Sequence, residues 1–409
     1  MFRSLAHRRF RHYFISQAVS AAGFWVQQIA LSWTVYALSG SAVMLGAVSF
    51  AASIPMLVMS PLAGLVVDRV DRRRLVLFTQ SVQMAQAFVL AALSFTGTAS
   101  IGVVIALALV YGTAWAFDAP ARQALLPLMI GGRDELPNAI ALNSLVMNLA
   151  RFIGPAIAGV MLAWTGEAWC FLLNGVSFLA VLGVLYRLPS VPPAHAQARW
   201  REEIAAGFRW VWEFPPSRAL VGLLAVVSFT APAYQTLMPI FARQVHHGDA
   251  RIQGLLISSA GFGALLGTGL LAWRASIRGL PALIGVSALG AGLGLAVFAM
   301  TARLWLAMAA VAVVGFGVIV TASGVNTYLQ SSVDEQRRGR VVSVYLMAFL
   351  GMMPIGNLTV GSLAAALGAP SALLVYGVAC ALAALAFEFA RRRIDWDVQR
   401  GRTPGPARR

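Results

Sequence analysis

One segment decides how this chain is arranged, and it reads Pro61-Leu62-Ala63-Gly64-Leu65-Val66-Val67-Asp68-Arg69-Val70-Asp71-Arg72-Arg73-Arg74-Leu75-Val76-Leu77. An apolar helix runs into this segment, four arginines follow within a short turn, and a second apolar helix begins directly after them. Because a charged side chain in hydrocarbon costs several kcal/mol, the turn is predicted to lie at a membrane surface. Short loops rich in arginine stay in the cytoplasm, so the turn also predicts the orientation of the flanking helices.

The composition predicts an integral membrane protein. Of the 409 residues, 59% are hydrophobic and only 11% are charged, which is more apolar than a water-soluble fold requires. The apolar runs are about 20 residues long and do not alternate with polar residues, so they predict helices rather than barrel strands. The formal charge of +16 comes from arginine without any lysine. These arginines cluster at every second loop, which indicates membrane topology and argues against a nucleic-acid partner.

The expected fold is all-α, with twelve transmembrane helices in two pseudo-symmetric bundles of six. The spans are expected near residues 12–37, 44–67, 75–96, 100–121, 139–165, 168–187, 218–242, 252–273, 280–300, 303–328, 341–366 and 370–390. Most arginines fall in the loops on one side, and an even number of spans then leaves both termini in the cytoplasm. The predicted domains are an N-terminal bundle over residues 1–188, a cytoplasmic central loop over 189–217, a C-terminal bundle over 218–391 and a basic, disordered tail over 392–409.

The central loop contains a predicted amphipathic helix. Trp200, Ile204, Phe208 and Val211 share one face at helical spacing. Such a helix is expected to lie along the cytoplasmic surface of the membrane. It separates two halves that look related, since in each half a loop leads into a long helix that carries a proline.

The segment Pro61–Leu77 resembles a signature of the major facilitator superfamily, Gly-x-x-x-Asp-Arg-x-x-Arg-Arg between the second and third spans. The matching residues are Gly64, Asp68, Arg69, Arg72 and Arg73, and Asp71 stands where the family often has glycine. This resemblance implies two six-helix bundles that rock about a central site, with the loop acting as a latch on the cytoplasmic side.

The latch can be given a physical form. Asp68 ends one helix, and a carboxylate there would gain from the positive end of the eleventh helix and from Arg340 near its start. Asp118, at the inner end of span four, is the expected partner of Arg72. The alternative is that these are separate solvated charges, worth under about 1 kcal/mol each.

Span five carries Gly154-Pro155-x-x-Ala158-Gly159, which resembles the exporter signature of the superfamily. A proline frees a backbone carbonyl and permits a bend, while small residues let helices approach closely. The resemblance implies efflux rather than uptake, with simple helix packing as the alternative.

Arg151 lies about 12 residues into span five, which is roughly 18 Å deep and near the middle of a membrane. Arginine at this depth predicts a functional site that attracts anionic or acceptor-rich groups, with a structural tie to backbone carbonyls or Asn side chains as the alternative. Asn148 shares its helical face. The remaining residues assigned to a substrate cavity are Gln17, Gln28, Tyr234 and Gln235, for which hydrogen bonding between helices is an equal alternative.

Other chemistries find no support in the sequence. It contains no phosphate-binding Gly-x-x-x-x-Gly-Lys motif, no cluster of residues that predicts a metal site, and no catalytic constellation. We therefore expect neither an enzyme nor a bound cofactor. Every carboxylate falls at a membrane end or in a loop, so proton antiport rests on the family resemblance, and the membrane potential or substrate exchange are other sources of drive.

Within the superfamily, three segments are similar to the bacterial branch of siderophore exporters and macrolide efflux proteins: residues 121–127, 141–144 and 338–341. This implies an exporter of small amphipathic molecules that works by alternating access, as a monomer, in the bilayer of a bacterial inner membrane. The alternatives are a lysophospholipid transporter or flippase, an uptake permease, and a membrane scaffold or sensor that transports nothing.

Overall fold

The protein is seen in a computed structural model that describes residues 6–129, 135–188, 200–274 and 276–394. The first half contains α1 (Arg8–Ser39), α2 (Ala42–Arg69), α3 (Arg72–Thr96), α4 (Ile101–Leu125), α5 (Leu136–Thr165) and α6 (Glu167–Tyr186). The second half contains α7 (Trp200–Glu213), α8 (Pro215–Thr230), α9 (Tyr234–Ile240), α10 (Ala250–Trp273), α11 (Leu280–Met300), α12 (Leu304–Ser331), α13 (Glu335–Leu367) and α14 (Ala369–Arg391). Most of the predicted tail and the proline-rich part of the central loop lie outside the described residues.

Short, well-defined corners join the long helices. Gly40 and Gly97 end α1 and α3 with positive φ angles of 60° and 67°, a conformation that glycine adopts without steric cost. Gly166 joins α5 to α6 as a single residue, and Gly368 joins α13 to α14 in the same way. The same one-glycine corner therefore occurs at corresponding places in the two halves.

Eleven helical segments among the described residues are long and apolar enough to cross a membrane. One of them, Pro215–Val245, combines α8 and α9 with a 3-10 turn between them and a π-helical turn after them. The first helix, α1, is 32 residues long but is not among the eleven, because side chains such as Gln17 and Gln27 lower its hydropathy. The twelfth span, and the cytoplasmic position of both termini, therefore remain predictions.

The long helices form two bundles. In the first, α2 packs on α4, α3 on α4 and α6, and α1 on α5 and α6. In the second, α10 and α11 pack on α12, and α14 on α11. The two bundles meet chiefly where α5 crosses α10 and where α2 crosses α13.

The crossing of α2 and α13 is close at one end of the molecule. We call this the arginine-poor end, formed by the corners at Gly40, Gly166 and Gly368, and we call the opposite end, which contains residues 69–74, the arginine-rich end. At the arginine-poor end, a Cβ on Gly46 of α2 would lie 2.8 Å from the carbonyl oxygen of Asn357 in α13. At the arginine-rich end, a Cβ on Gly64 would meet nothing within 4 Å. The bundles are therefore closed together at the arginine-poor end.

The predicted amphipathic helix is α7, and it lies against the start of α13. A Cβ on Gly207 would lie 2.5 Å from the carbonyl oxygen of Arg340. On the predicted apolar face, Val211 is buried whereas Phe208 is 45% exposed, and the side chains of Trp200 and Ile204 lie outside the described set. The position of α7 on a membrane surface remains a prediction.

Candidate functional site

A cavity lies between the two bundles, where α5 crosses α10. Its volume is about 50 Å³, which admits a few water molecules and is smaller than the roughly 300–1,000 Å³ pockets that hold drug-sized molecules. The lining residues are Trp25, Arg151, Pro232, Tyr234, Gln235, Ile257, Ala260, Gly261, Ala264, Gly315, Val318 and Ile319. The structure thus brings together three residues that the sequence assigns to a cavity, namely Arg151, Tyr234 and Gln235.

Arg151 lies halfway along α5 and directs an exposed side chain toward this cavity. Its guanidinium forms no hydrogen bond or ion pair with any residue that the structure describes. The structural tie to backbone carbonyls, which the sequence left as an alternative, is therefore not formed by these residues. An unpaired guanidinium retains its whole charge and all five N–H donors for a ligand.

The three residues of the α5 motif, Gly154, Pro155 and Gly159, lie along the crossing with α10 or beside the cavity. A Cβ on Gly154 would lie 2.9 Å from the side chain of Trp25, so this glycine makes room for a cavity-lining ring. A Cβ on Gly159 would overlap the carbonyl oxygen of Ala250 at the start of α10. The motif therefore allows both a ring and a neighbouring helix to approach α5.

Pro155 also changes the backbone next to the cavity. Because proline has no N–H, the carbonyl four residues earlier, that of Arg151, loses its helical hydrogen bond. A Cβ on Gly261 of α10 would overlap this same carbonyl oxygen. Because Gly261 has no side chain, α10 can lie directly against the freed carbonyl of Arg151. This approach is the one that a contact between a Cα–H group and a carbonyl oxygen requires.

Tyr234 and Gln235 reach the cavity because the helix that carries them is broken. A 3-10 turn at Ala231–Ala233, which contains Pro232, separates α8 from α9 and resets the direction of the chain. Tyr234 is buried and Gln235 is exposed. The amide Nε2 of Gln235 donates to the hydroxyl of Tyr234 across 3.4 Å, which leaves the hydroxyl proton of Tyr234 available to a further acceptor.

Three other residues assigned to the cavity by sequence do not line it. Gln17 is buried within α1, and its Oε1 atom has no hydrogen-bond partner among the described residues. Gln28 and Asn148 are half-buried and lie outside the lining set. The assignment of these three residues to a substrate site therefore remains a prediction.

The motif residues between α2 and α3 have local roles at the arginine-rich end. The carboxylate of Asp71 accepts hydrogen bonds from the backbone N–H groups of Arg73 and Arg74, at 2.9 and 3.3 Å, and so caps α3. The guanidinium of Arg73 donates to the carbonyl of Leu185 at 3.0 Å and to that of Tyr186, at the end of α6. The negative end of the α6 helix dipole lies at this position and favours a cation there.

The proposed latch partners are not all visible. Arg69 and Arg340 are exposed and Arg72 is half-buried. The side chain of Asp68 lies outside the described set, so the pair between Asp68 and Arg340 stays a prediction.

Asp118 is fully buried in the first bundle and forms its ion pair with Arg122, one helical turn along α4, at 2.5 Å. The expected pairing of Asp118 with Arg72 stays a prediction. Thr79 and Gln80 of α3 donate to the Oδ1 atom of Asp118 at 3.1 and 3.3 Å. The spacing of Asp118 and Arg122 at i and i+4 could have revealed this pair from sequence.

Sequence reasoning missed a group of contacts that joins the bundles at the arginine-poor end. The guanidinium of Arg243 lies 4.9 Å from the ring centre of Trp33 and 6.0 Å from that of Tyr36. The adjacent Gln244 donates to the hydroxyl of Tyr36 at 2.7 Å, and Gln253 donates to Ser32 at 2.7 Å. These contacts tie α1 to the second bundle. They combine residues more than 200 positions apart, so no local pattern predicts them.

No group of three or more metal-binding side chains occurs among the described residues. The paired histidines after α9 lie at the arginine-poor end, where the Nδ1 atom of His246 lies 3.3 Å from the carbonyl oxygen of Ala302. Burial lowers the pKa of His246 below its usual value of 6.5, and the neighbouring His247 lowers it further, while the contact with the carbonyl opposes the shift.

Comparison with known families gives one match over nearly the whole chain. A family described as transmembrane secretion effector matches residues 1–401. The staphyloferrin A transporter of Staphylococcus aureus (strain NCTC 8325 / PS 47) is 27% identical, over 94% of this chain and 96% of the relative. The multidrug efflux pump Tap of Mycolicibacterium fortuitum is 28% identical, over 93% and 95%. The enterobactin exporter EntS of Citrobacter koseri (strain ATCC BAA-895 / CDC 4225-83 / SGSC4696) is 26% identical, over 88% and 86%.

Solved structures share the fold at low sequence identity. The nucleoside transporter NupG superposes with a TM-score of 0.74 at 14% identity, over 94% of this chain and 99% of that chain. A bacterial homologue of the iron transporter ferroportin, in an inward-facing state, gives a TM-score of 0.74 at 15% identity, over 94% and 98%.

Proposed function

Because this chain belongs to the transmembrane secretion effector family of the major facilitator superfamily, we propose that it is a secondary active transporter that exports small amphipathic molecules. The observation that carries this proposal is the cavity between two bundles that are closed together at one end. The relatives named as an efflux pump and as an exporter favour the outward direction. We place the transporter in the bacterial inner membrane, working as a monomer by alternating access.

In this mechanism the described state takes up substrate from the cytoplasm. If the arginine-rich end faces the cytoplasm, as the distribution of charge predicts, then the closed arginine-poor end faces outward. Release requires that Arg243 leaves Trp33 and that Gln244 and Gln253 lose their partners on α1. With about 1 kcal/mol for each hydrogen bond and a similar value for the cation–π contact, opening costs a few kcal/mol. A difference of this size keeps the outward-open state accessible as a minor population.

We propose that closing the other end forms the latch. Asp68 at the end of α2 would then meet Arg340 and the start of α13, where the helix dipole favours a carboxylate. The exposed position of Arg340 in the described state agrees with a latch that is open. Asp68→Asn is expected to lower export strongly while the amount of protein in the membrane is unchanged. Export at the wild-type rate by this variant would remove the latch from the mechanism.

The source of drive is a separate question. The residues that line the cavity include no carboxylate, and Asp118 is held by Arg122 at a distance of 2.5 Å. Proton coupling would therefore have to pass through Asp68 or through a broken Asp118–Arg122 pair.

The alternatives differ in what crosses the membrane and in which direction. Inside-out vesicles from cells that express the protein are expected to take up members of a panel of siderophores, macrolides and dyes, measured with and without an uncoupler. Uptake by right-side-out vesicles instead would indicate a permease, and movement of lysophospholipids alone would indicate a lipid transporter. Purified protein that moves no member of the panel but retains a bound partner would indicate a scaffold or sensor and would overturn the proposal.

A further inference from the structure

We propose that the transported molecule is an anion whose acidic group binds the guanidinium of Arg151. This inference rests on the proposed transport function and names the charge class of molecule that the cavity takes. It starts from one observation, which is that a cation lines a cavity between the bundles and has no partner among the described residues.

Four other arginines, in the long helices or at their ends, are engaged. Arg122 pairs with Asp118 at 2.5 Å, and Arg391 pairs with Glu388 at 2.7 Å. Arg243 stacks on Trp33 with 4.9 Å to the ring centre. Arg73 donates to backbone carbonyls at the end of α6. Arg151 differs from these four because its side chain ends in the cavity, so a ligand can supply the partner that the protein does not.

The cavity contains nothing that would neutralise this charge. Its lining residues include one arginine and no aspartate, glutamate or histidine. An opposite charge that binds there gains a charge-assisted hydrogen bond, and the planar guanidinium fits a carboxylate or a similar oxyanion through two parallel N–H donors. A ligand cation would face an uncompensated like charge, so the site discriminates against amines.

The surroundings of Arg151 suggest the rest of the molecule. Tyr234 and Gln235 contribute a free hydroxyl proton and amide protons, which are further donors for an oxygen-rich acidic group. Trp25, Ile257 and Ile319 form an apolar wall that suits a ring or an alkyl segment. The described cavity of about 50 Å³ accommodates the acidic group, and the remainder of the molecule would extend between the bundles toward the arginine-rich end.

A matched pair of dyes tests the charge preference. Fluorescein, which is anionic at pH 8, and rhodamine 123, which is cationic, share a three-ring xanthene frame. Uptake of each dye is measured in inside-out vesicles that contain the wild type, Arg151→Gln, Arg151→Lys or Arg151→Glu, at matched amounts of protein. Wild-type vesicles are expected to take up fluorescein. Vesicles with Arg151→Gln are expected to take it up about 10- to 100-fold more slowly. Arg151→Lys should retain more of the rate than Arg151→Gln, and Arg151→Glu should favour rhodamine 123.

The outcomes separate the two proposals. Equal uptake of fluorescein by the wild type and Arg151→Gln, or wild-type preference for rhodamine 123, would overturn the anion inference while leaving transport in place. If no dye, siderophore or macrolide is moved by the wild type, the proposed function fails. The charge preference of the cavity is then tested by a measurement that needs no transport.

That second measurement uses a reporter thiol at the cavity. In a background where Cys170 and Cys380 are replaced by alanine, Gln235→Cys is treated with a negatively charged and a positively charged methanethiosulfonate of similar size. The ratio of the two rates should favour the anionic reagent and fall by about 10-fold when Arg151→Gln is added. An unchanged ratio would show that Arg151 does not set the charge preference of the cavity.

Discussion

The sharpest test of the closed end is a single methyl group at the crossing of α2 and α13. Gly46→Ala places a Cβ 2.8 Å from the carbonyl oxygen of Asn357 and 3.3 Å from the Cα of Gly361. Both neighbours are backbone atoms, so no side chain can rotate away. Since a relaxed contact between a carbon and a carbonyl oxygen is about 3.3 Å, the two helices must separate by about 0.5 Å.

The cost of this methyl group falls on the closed state. Overpacking of this kind costs about 1–3 kcal/mol, and the cost of a single methyl group is expected in the lower half of that range. The same methyl group is unhindered once the arginine-poor end opens. The equilibrium should therefore move toward the open form by about 5- to 30-fold.

A cysteine between the bundles reports this shift. Thr236 is 5% exposed, and its hydroxyl lies 3.5 Å from that of Ser49 on α2, so Thr236→Cys is shielded while the end is closed. Labelling of this cysteine on whole cells by a membrane-impermeant maleimide, with Cys170 and Cys380 replaced by alanine, should accelerate about 5- to 30-fold in Gly46→Ala.

Gly222→Ala is the matched control, because its Cβ meets nothing within 4 Å and its labelling rate should not change. If folded Gly46→Ala and Gly222→Ala label at the same rate, the closed end is not held by this crossing, and the reasoning fails.

Two further predictions concern stability. Asp118→Asn leaves Arg122 buried without its counter-charge and should lower the free energy of unfolding by about 3 kcal/mol, as judged by thermal unfolding in detergent. Asp249→Asn, which alters an exposed helix cap, should cost under about 1 kcal/mol, and equal losses in the two variants would contradict the buried pair. His246 has a pKa lowered by burial, so the unfolded chain takes up its proton first, and stability should fall as the pH drops below about 6.5. His246→Gln should reduce this loss, and an identical pH profile would show that other groups cause it.

Much of the helical architecture can be predicted from hydropathy and breaks in the chain. The expected span at 280–300 coincides with α11 (Leu280–Met300), because a long apolar run between two polar corners has one way to satisfy its backbone. The span expected at 218–242 is instead interrupted by a 3-10 turn and ends in a π-helical turn. Pro232 and Pro239 lie within this span and remove backbone hydrogen-bond donors. The two prolines could therefore have predicted an interrupted helix from the sequence.

The candidate site is predictable only where one residue carries the signal. A guanidinium halfway along an apolar helix is costly enough that Arg151 is identified without a structure. Asp71, which departs from the family pattern, is explained only when its carboxylate is seen to cap α3. The contacts of Arg243 and Gln244 with α1 arise from the folding of the second bundle against the first. No spacing along the chain encodes that approach.

An anionic substrate would also allow the membrane potential to drive export. A cavity without a carboxylate gives protons no evident place to bind, but the movement of one negative charge out of a cell is favoured by the inside-negative potential. The gain is about 2.3 kcal/mol per elementary charge at 100 mV, which supports a gradient of about 50-fold. If Arg151 neutralises the substrate during the outward step and returns unpaired, each cycle transfers one net negative charge.

A potassium diffusion potential imposed without any pH gradient should then be sufficient to drive fluorescein across proteoliposome membranes, toward the positive side, and reversing the potential should reverse the direction. Transport that requires a pH gradient and ignores the potential would show that the charge on Arg151 is balanced by a proton, and would return attention to Asp68 and Asp118.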